Sequence, residues 1–314
     1  NNFKGKSKII ESSHLSGNLL FKIISLVKLL FGFIKSLLII VKYKPNICIT
    51  FGSYATFMPL ISIIFLKFFL RTKIYIHEQN SIIGKVNLFF LPYAKIVFTN
   101  FENIVNLKKK YIFKKEYVGI PSYEYNKNLQ KIYIEESKKI IIFIYGGSQG
   151  SAPLIDHSIL ILKKIDKDNL KKIKIIIQSP KKKYVELSEF FKKLNIDYEI
   201  NEFYNNIDMI LSIANIAITR GGAGTINDLI RHKVPSLIFP LPHAIYNHQY
   251  YNAKYLSDIK AAVLIDEKNI NIDRTVKILL TMINDLNYRK NMKIAFEQID
   301  KLDTNQLMLN KIFS

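Results

Sequence analysis

One cysteine occurs in 314 residues, Cys48 in the apolar run Asn46-Ile47-Cys48-Ile49-Thr50, which excludes an intrachain disulfide and a cysteine metal cluster and points to a reducing compartment. Arginine is almost as scarce: Arg71, Arg220, Arg231, Arg274 and Arg289 are five of 46 basic residues. Acids are few as well, 25 in all, so the chain carries a formal charge of +21, nearly all of it lysine. Lysine supplies diffuse positive potential rather than the planar, bidentate recognition of phosphates and guanines that arginine offers. The charge therefore favours anionic partners without naming one, and a Lys-, Ile-, Asn- and Tyr-rich composition is equally what an AT-rich genome produces. No nucleic-acid recognition motif accompanies the charge, so nucleic acid is not expected as a partner. No signal peptide opens the chain and no initiator methionine precedes Asn1, which points to a segment upstream. An uninterrupted apolar run long enough to span a bilayer is missing too, because Leu19 to Tyr43 is broken by Lys22, Lys28, Lys35 and Lys42.

What is present is the composition of a folded protein, 49% hydrophobic and 23% charged, with length for about two domains. Short Ile-, Val-, Phe- and Tyr-rich runs alternate with longer amphipathic segments from Pro45 to Ala262, the βαβ rhythm of a covered parallel sheet. Strands are expected over Asn46 to Phe51, Lys73 to His77, Ile96 to Thr99, Lys138 to Tyr145, Ile173 to Ile177, Ile216 to Thr219 and Ser236 to Phe239. The irregular polar stretch from Ile120 to Ser137 marks a hinge. The expected organisation is a first domain over 1–122 with fewer strands than it needs, a hinge over 123–137, a second domain over 138–290, and a helical tail over 291–314 that packs back on the first domain.

Ligands of open α/β sheets bind beyond the carboxyl ends of strands, where glycine turns bring backbone N–H groups and a helix N-terminus to an anion. Two such turns stand out: Gly146-Gly147-Ser148-Gln149-Gly150 after an apolar strand, and Arg220-Gly221-Gly222-Ala223-Gly224-Thr225 after another. Each alone also reads as an ordinary tight turn. Asp228, one helical turn beyond Gly224, can reach ribose hydroxyls or simply be a solvated helix residue favoured by the dipole. His77-Glu78-Gln79-Asn80 puts four polar side chains at a strand end, where they line a crevice or face solvent. His243 and His248 lack a third ligand at a recognisable spacing, and no metal or cofactor is expected.

Together these motifs, with Glu202-Phe203 and Gln249-Tyr250-Tyr251-Asn252-Ala253, resemble in order and spacing the MurG family of glycosyltransferases, which add N-acetylglucosamine to the undecaprenyl-linked muramyl-pentapeptide of peptidoglycan. The resemblance runs from about Leu15 to Ala262 and implies a GT-B fold of two Rossmann-like α/β domains with parallel sheets. It implies UDP-N-acetylglucosamine as donor, held by the second domain, and the lipid-linked acceptor held by the first. Carried over by position, Asn80 would touch the donor sugar, Ser148 a phosphate, and the Tyr204 backbone the uracil edge. Ala223, Gly224, Thr225, Ile226, Asn227 and Asp228 would hold diphosphate and ribose, and Gln249 the sugar hydroxyls. Gly146, Gly147, Gly150 and Gly222 would form the phosphate loops, and Gly52, Tyr54, His77 and Glu78 would lie on the acceptor side.

The chain departs from the family where its first Gly-Gly-Thr-Gly-Gly-His loop has no counterpart, where Tyr123 replaces an expected arginine, where Ser53 replaces a glycine, and where Asp228 replaces a glutamate. The implied reaction is inverting and metal-independent, with the base unassigned and His77 available. A glycosyl-diacylglycerol synthase shares the donor half, but the His77 to Asn80 motif with Gly84 argues for the peptidoglycan enzyme. A non-catalytic sugar-nucleotide or lipid-binding remnant fits the departures. Independently of the family, Lys28, Lys35 and Lys42 fall on one helical stripe with Ser25, Gly32 and Ser36, and residues 1–44 hold eight lysines against Glu11. That suits an anionic inner leaflet, although a helix covering the sheet would look the same, and the resemblance implies a peripheral place on the cytoplasmic face of the bacterial inner membrane.

Overall fold

The computed structural model describes residues 5–10, 12, 18–121, 139–147, 151–300 and 302–314. Ser148, Gly150, Tyr123 and the expected hinge lie outside them. The chain divides into two compact units, Asn1–Ile120 with Asp303–Ser314, and Pro121–Leu302.

The first unit opens with α1 (Leu19–Tyr43), capped by Asn18, whose side chain accepts from the Phe21 N–H at 3.0 Å, and stopped at Lys44 in the left-handed region before Pro45. There follow β1 (Ile47–Thr50), α2 (Phe57–Phe65), β2 (Lys73–Glu78), α3 (Lys85–Phe90), β3 (Ala94–Thr99) and β4 (Lys115–Tyr117). The four strands form one sheet in the order β1-β2-β3-β4, every pair parallel. Alternation sorts the side chains. Ile74, Ile76 and Val97 join Ile40, Leu60, Ile63 and Phe90 on one face. Tyr75 and Phe98 stack on the other and pack with Val118, Met308 and Ile312. Met308 and Ile312 belong to α12 (Thr304–Phe313), so the chain's end covers a face that the first 120 residues leave open. The returning segment starts at Asp303, not at 291.

Helix α1 corrects the expected polar stripe. Among its described side chains Ser25, Leu29, Gly32, Ser36 and Ile40 are the buried ones, and Ser62 of α2 donates to the Phe33 carbonyl at 3.3 Å. Small residues let α1 and α2 approach closely, so the serines and glycine point inward while Lys28, Lys35 and Lys42 stay exposed. The outward side is apolar: Phe21, Leu26, Leu30, Phe31 and Leu38 are each more than half exposed. By length and composition α1 is also apolar enough to cross a membrane.

The second unit contains β5 (Ile140–Tyr145), α4 (Ala152–Leu162), α5 (Lys167–Leu170), β6 (Ile173–Gln178), α6 (Tyr184–Lys193), β7 (Asp197–Asn201), α7 (Ile207–Ile213), β8 (Ile216–Thr219), α8 (Ala223–His232), β9 (Ser236–Ile238), α9 (His248–Asp258), β10 (Ala262–Leu264), α10 (Ile272–Asn284) and α11 (Leu286–Ala295). Its six parallel strands run β10-β9-β8-β5-β6-β7, the doubly wound Rossmann order, which reverses direction between β5 and β8. Ile142, Ile144, Ile175, Ile177, Ile216, Ile218 and Leu237 face α4, α6 and α10 through Leu154, Ile155, Leu187, Phe191, Leu279 and Met282. Each such fully buried aliphatic side chain stabilises the sheet by roughly 1.5–3 kcal/mol. On β5 the alternate residues Phe143 and Tyr145 stack 4.4 Å apart, and Tyr204 meets Phe143 edge-on.

Candidate active site

The strand order puts the two glycine turns side by side. Tyr145, the last residue of β5, is registered with Thr219, the last of β8, and Thr219 donates its hydroxyl to the Tyr145 carbonyl at 2.8 Å. Gly146 and Gly147 leave β5, with Gly147 at φ +77°, a conformation that glycine adopts without strain. Gly221 and Gly222 leave β8. A side chain at Gly221 would run into the Gln249 carbonyl at 2.2 Å, whereas one at Gly224 would meet open space. The first glycine is thus required by the packing of α9, and the second leaves room for a ligand.

Helix α8 starts at Gly222, whose lack of a side-chain cap leaves the first N–H groups of the helix for an incoming acceptor. Thr225 lies over both turns, its hydroxyl 3.6 Å from where a Cβ of Gly147 would stand and 3.7 Å from that of Gly222. Asn227 donates to the Ala223 carbonyl at 2.8 Å, which stiffens this first turn. Ile226 departs from the expectation: its side chain is fully buried and its N–H is bonded to the Gly222 carbonyl at 2.9 Å, so it shapes the core rather than the ligand.

Asp228 is half-buried at the next turn of α8. Burial pushes its carboxyl up from 3.8 to about 6; the Arg231 charge pulls down and Asp208 pushes up. The Asp228 charge in turn adds to burial in holding the Tyr145 hydroxyl well above its ordinary value. A carboxylate this poorly solvated is ready to accept hydroxyl donors. Gln249, at the start of α9, accepts from the Leu241 N–H through Oε1 at 2.9 Å, which leaves its amide nitrogen as the group it can offer a sugar hydroxyl. Tyr204 is buried with its hydroxyl 3.4 Å from the Ile177 carbonyl, so only its main chain is suited to a ligand edge.

Sequence reasoning missed a buried cluster behind these turns. Arg220 bonds Ser151 Oγ through Nε at 3.0 Å and Nη2 at 2.8 Å, the Phe239 carbonyl through Nη1 at 3.0 Å, and Glu267 through Nη1 and, at 3.1 Å, Nη2. Ser151 is itself the N-cap of α4, accepting from the Leu154 N–H. His157 Nε2 stands 3.2 Å from Glu267 Oε1, and its ring stacks on Phe239. Glu267 lies 47 residues from Arg220, with no local spacing to announce it.

In the first unit the polar strand end is sealed rather than open. Glu78 Oε1 accepts from the Asn80 N–H at 3.0 Å and Asn80 Nδ2 at 3.2 Å, and Oε2 from the Gly84 N–H at 2.9 Å and Asn87 Nδ2 at 2.8 Å. Glu78 is a loop scaffold, 3% exposed, rather than an acceptor contact. His77 is wholly buried and donates from Nε2 to the Gly119 carbonyl at 2.8 Å, beside Phe51. Burial lowers its pKa from 6.5 to about 4. A ring so enclosed cannot meet an acceptor hydroxyl, which removes His77 as a substitute base. Gly52 takes φ +76° with Asn87 against it, so a Cβ would lie 2.4 Å from Asn87 Nδ2. Tyr54 is 38% exposed on the following turn. Among the described residues no group of three His, Cys, Asp or Glu is placed to hold a metal ion.

The Glycosyltransferase family 28 C-terminal domain pattern matches residues 141–307 and the N-terminal domain pattern residues 2–99. The chain belongs to glycosyltransferase family 28. It is 37% identical over 277 residues to the UDP-N-acetylglucosamine--N-acetylmuramyl-(pentapeptide) pyrophosphoryl-undecaprenol N-acetylglucosamine transferase of Rickettsia canadensis, covering 86% of this chain and 75% of that relative. The enzyme of the same name from Rickettsia typhi is 34% identical, covering 88% of this chain and 78% of the relative. Among solved structures, Acinetobacter baumannii MurG superposes with a TM-score of 0.73 at 22% identity, over 91% of this chain and 80% of the other. A Staphylococcus aureus MnaA structure with UDP gives 0.64 at 14% identity, over 95% of this chain and 82% of the other. The family 28 chain thus has the GT-B fold, and it is a glycosyltransferase.

Proposed function

We propose that the protein transfers N-acetylglucosamine, with inversion, from UDP-N-acetylglucosamine to undecaprenyl-diphospho-N-acetylmuramoyl-pentapeptide in peptidoglycan synthesis. The observation that carries this reading is the pair of glycine turns at the β5/β8 reversal, in a chain 37% identical to a relative named for that transfer. The uncapped start of α8 stabilises the charge that grows on the leaving diphosphate, and Thr225 offers it a hydroxyl. Asp228 accepts the ribose hydroxyls, Gln249 meets the sugar, and the Tyr204 main chain meets uracil. The acceptor is taken by the first unit, beside Gly52 and Tyr54.

The full chain should be stabilised by UDP in a thermal melt, by RT ln(1 + [L]/Kd), or about 2.7 kcal/mol at a hundredfold excess over Kd. No stabilisation at millimolar UDP refutes the donor assignment, and UDP release without acceptor-dependent sugar transfer refutes the acceptor. The apolar outer side of α1, flanked by Lys28, Lys35 and Lys42, suits peripheral binding to an anionic leaflet at about 1 kcal/mol per surface lysine. Vesicles rich in anionic lipid should co-sediment the chain, and less so as salt rises.

A further inference from the structure

The arginine of the second glycine turn has no donor left for a ligand. A guanidinium carries five N–H groups, and the five bonds from Arg220 end on Ser151 twice, on the Phe239 carbonyl once and on Glu267 twice. The pair is buried, its side chains 5% and 7% exposed, so removing one charge strands the other away from water. The bonds also join separate parts of the chain: Ser151 caps α4, Arg220 precedes α8, and Glu267 follows β10. Phe239, which ends the β9 segment, is held twice, through its carbonyl by Arg220 and through its ring by His157, whose Nε2 also reaches Glu267.

We propose that Glu267 is a positioning residue for the diphosphate of the nucleotide sugar. It orients Arg220, Arg220 holds Ser151, and the first turn of α4 and the turn before α8 become one unit facing the phosphates. The inference rests on the nucleotide-sugar reading above. It separates two kinds of contact. The uracil and ribose contacts at Tyr204 and Asp228 do not pass through the clamp, whereas the phosphate-facing N–H groups do.

The test is titration of the full chain with UDP and with uridine, followed by protein-observed NMR, which reads weak binding as well as strong. Glu267→Gln should weaken UDP roughly tenfold or more while uridine changes less than about twofold. Arg220→Lys should act in the same direction, and the double variant should be no worse than the weaker single one, as expected of residues in one network. In a transfer assay the KM for the nucleotide sugar should rise while the KM for the acceptor stays. Should Glu267→Gln fail to fold, Ser151→Gly removes the Arg220 acceptor at little cost to the helix cap, and it should lower UDP affinity with uridine unchanged. Equal losses of UDP and uridine, or unchanged UDP affinity in a folded variant, overturn the proposal. A wild-type chain that binds neither ligand overturns the donor reading and this inference together, whereas a wild-type chain that binds UDP as tightly as Glu267→Gln does sinks this inference alone.

Discussion

Replacing Asp228 by asparagine should make the empty protein more stable and the nucleotide complex weaker. Burial raises the carboxyl from 3.8 to about 6, so the ionised form is disfavoured in the folded chain. Moving from 3.8 to about 6 corresponds to about 3 kcal/mol at 1.36 kcal/mol per pH unit, an upper estimate because the group keeps partial contact with solvent. The sign follows from proton counting. Between pH 3.8 and 6 the folded state binds more protons than the unfolded, so the penalty is complete above pH 6, shrinks as pH falls through that window, and is gone below 3.8.

Asp228→Asn has the same shape without the charge. Urea melts should therefore show a gain of up to about 3 kcal/mol at pH 7.5 and almost none at pH 4. The same variant should bind UDP about 1.5–3 kcal/mol more weakly, the range for a hydrogen bond to a charged group, and a 2′,3′-dideoxyribose analogue should then lose little further affinity. A stability loss at pH 7.5, or a change equal at both pH values, would show that the carboxylate is not strained in the empty site. Additive losses from variant and analogue would show that carboxylate and ribose do not meet.

Two neighbouring glycines should respond in opposite ways. Gly221→Ala drives a methyl group into the Gln249 carbonyl and should cost about 1–3 kcal/mol of stability in a urea melt, the range for overpacking, whereas Gly224→Ala should leave the fold intact and Gly224→Val should abolish UDP binding. For His77, lowered from 6.5 to about 4, the unfolded state binds more protons between those values, so stability falls as pH drops through that window. An NMR titration should show no His77 ionisation between pH 5 and 8; an inflection near 6.5 would show the ring to be solvated.

The parts of the fold written in local patterns were readable from the residues, and the parts made by distant partners were not. Strands β5, β6 and β8 are rich in isoleucine because both faces of the sheet are covered. Strands β4 and β7, read as Lys-Glu-Tyr and Asp-Tyr-Glu-Ile-Asn, escaped because they stand at sheet edges, where polar side chains are tolerated. The glycine turns could be seen because Gly147 takes a left-handed φ and Gly221 a close approach that only glycine suits. His77 and Glu78 looked like site residues because burying four polar groups is costly, yet the loop itself meets that cost, with Glu78 accepting four hydrogen bonds. Glu267 could not be found at all from local spacing.

Helix α1 turns the usual arrangement inside out: Ser25, Gly32 and Ser36 are packed away, and Phe21, Leu26, Leu30, Phe31 and Leu38 meet water. An exposed apolar surface of this kind drives proteins to associate with one another, and charged residues flanking such a segment act as gatekeepers against it. Lys28, Lys35 and Lys42 stand exposed on α1 where such gatekeepers would act between copies of the chain. Salt screens the repulsion between copies. Self-association should therefore grow as salt is added, which light scattering at rising ionic strength would read.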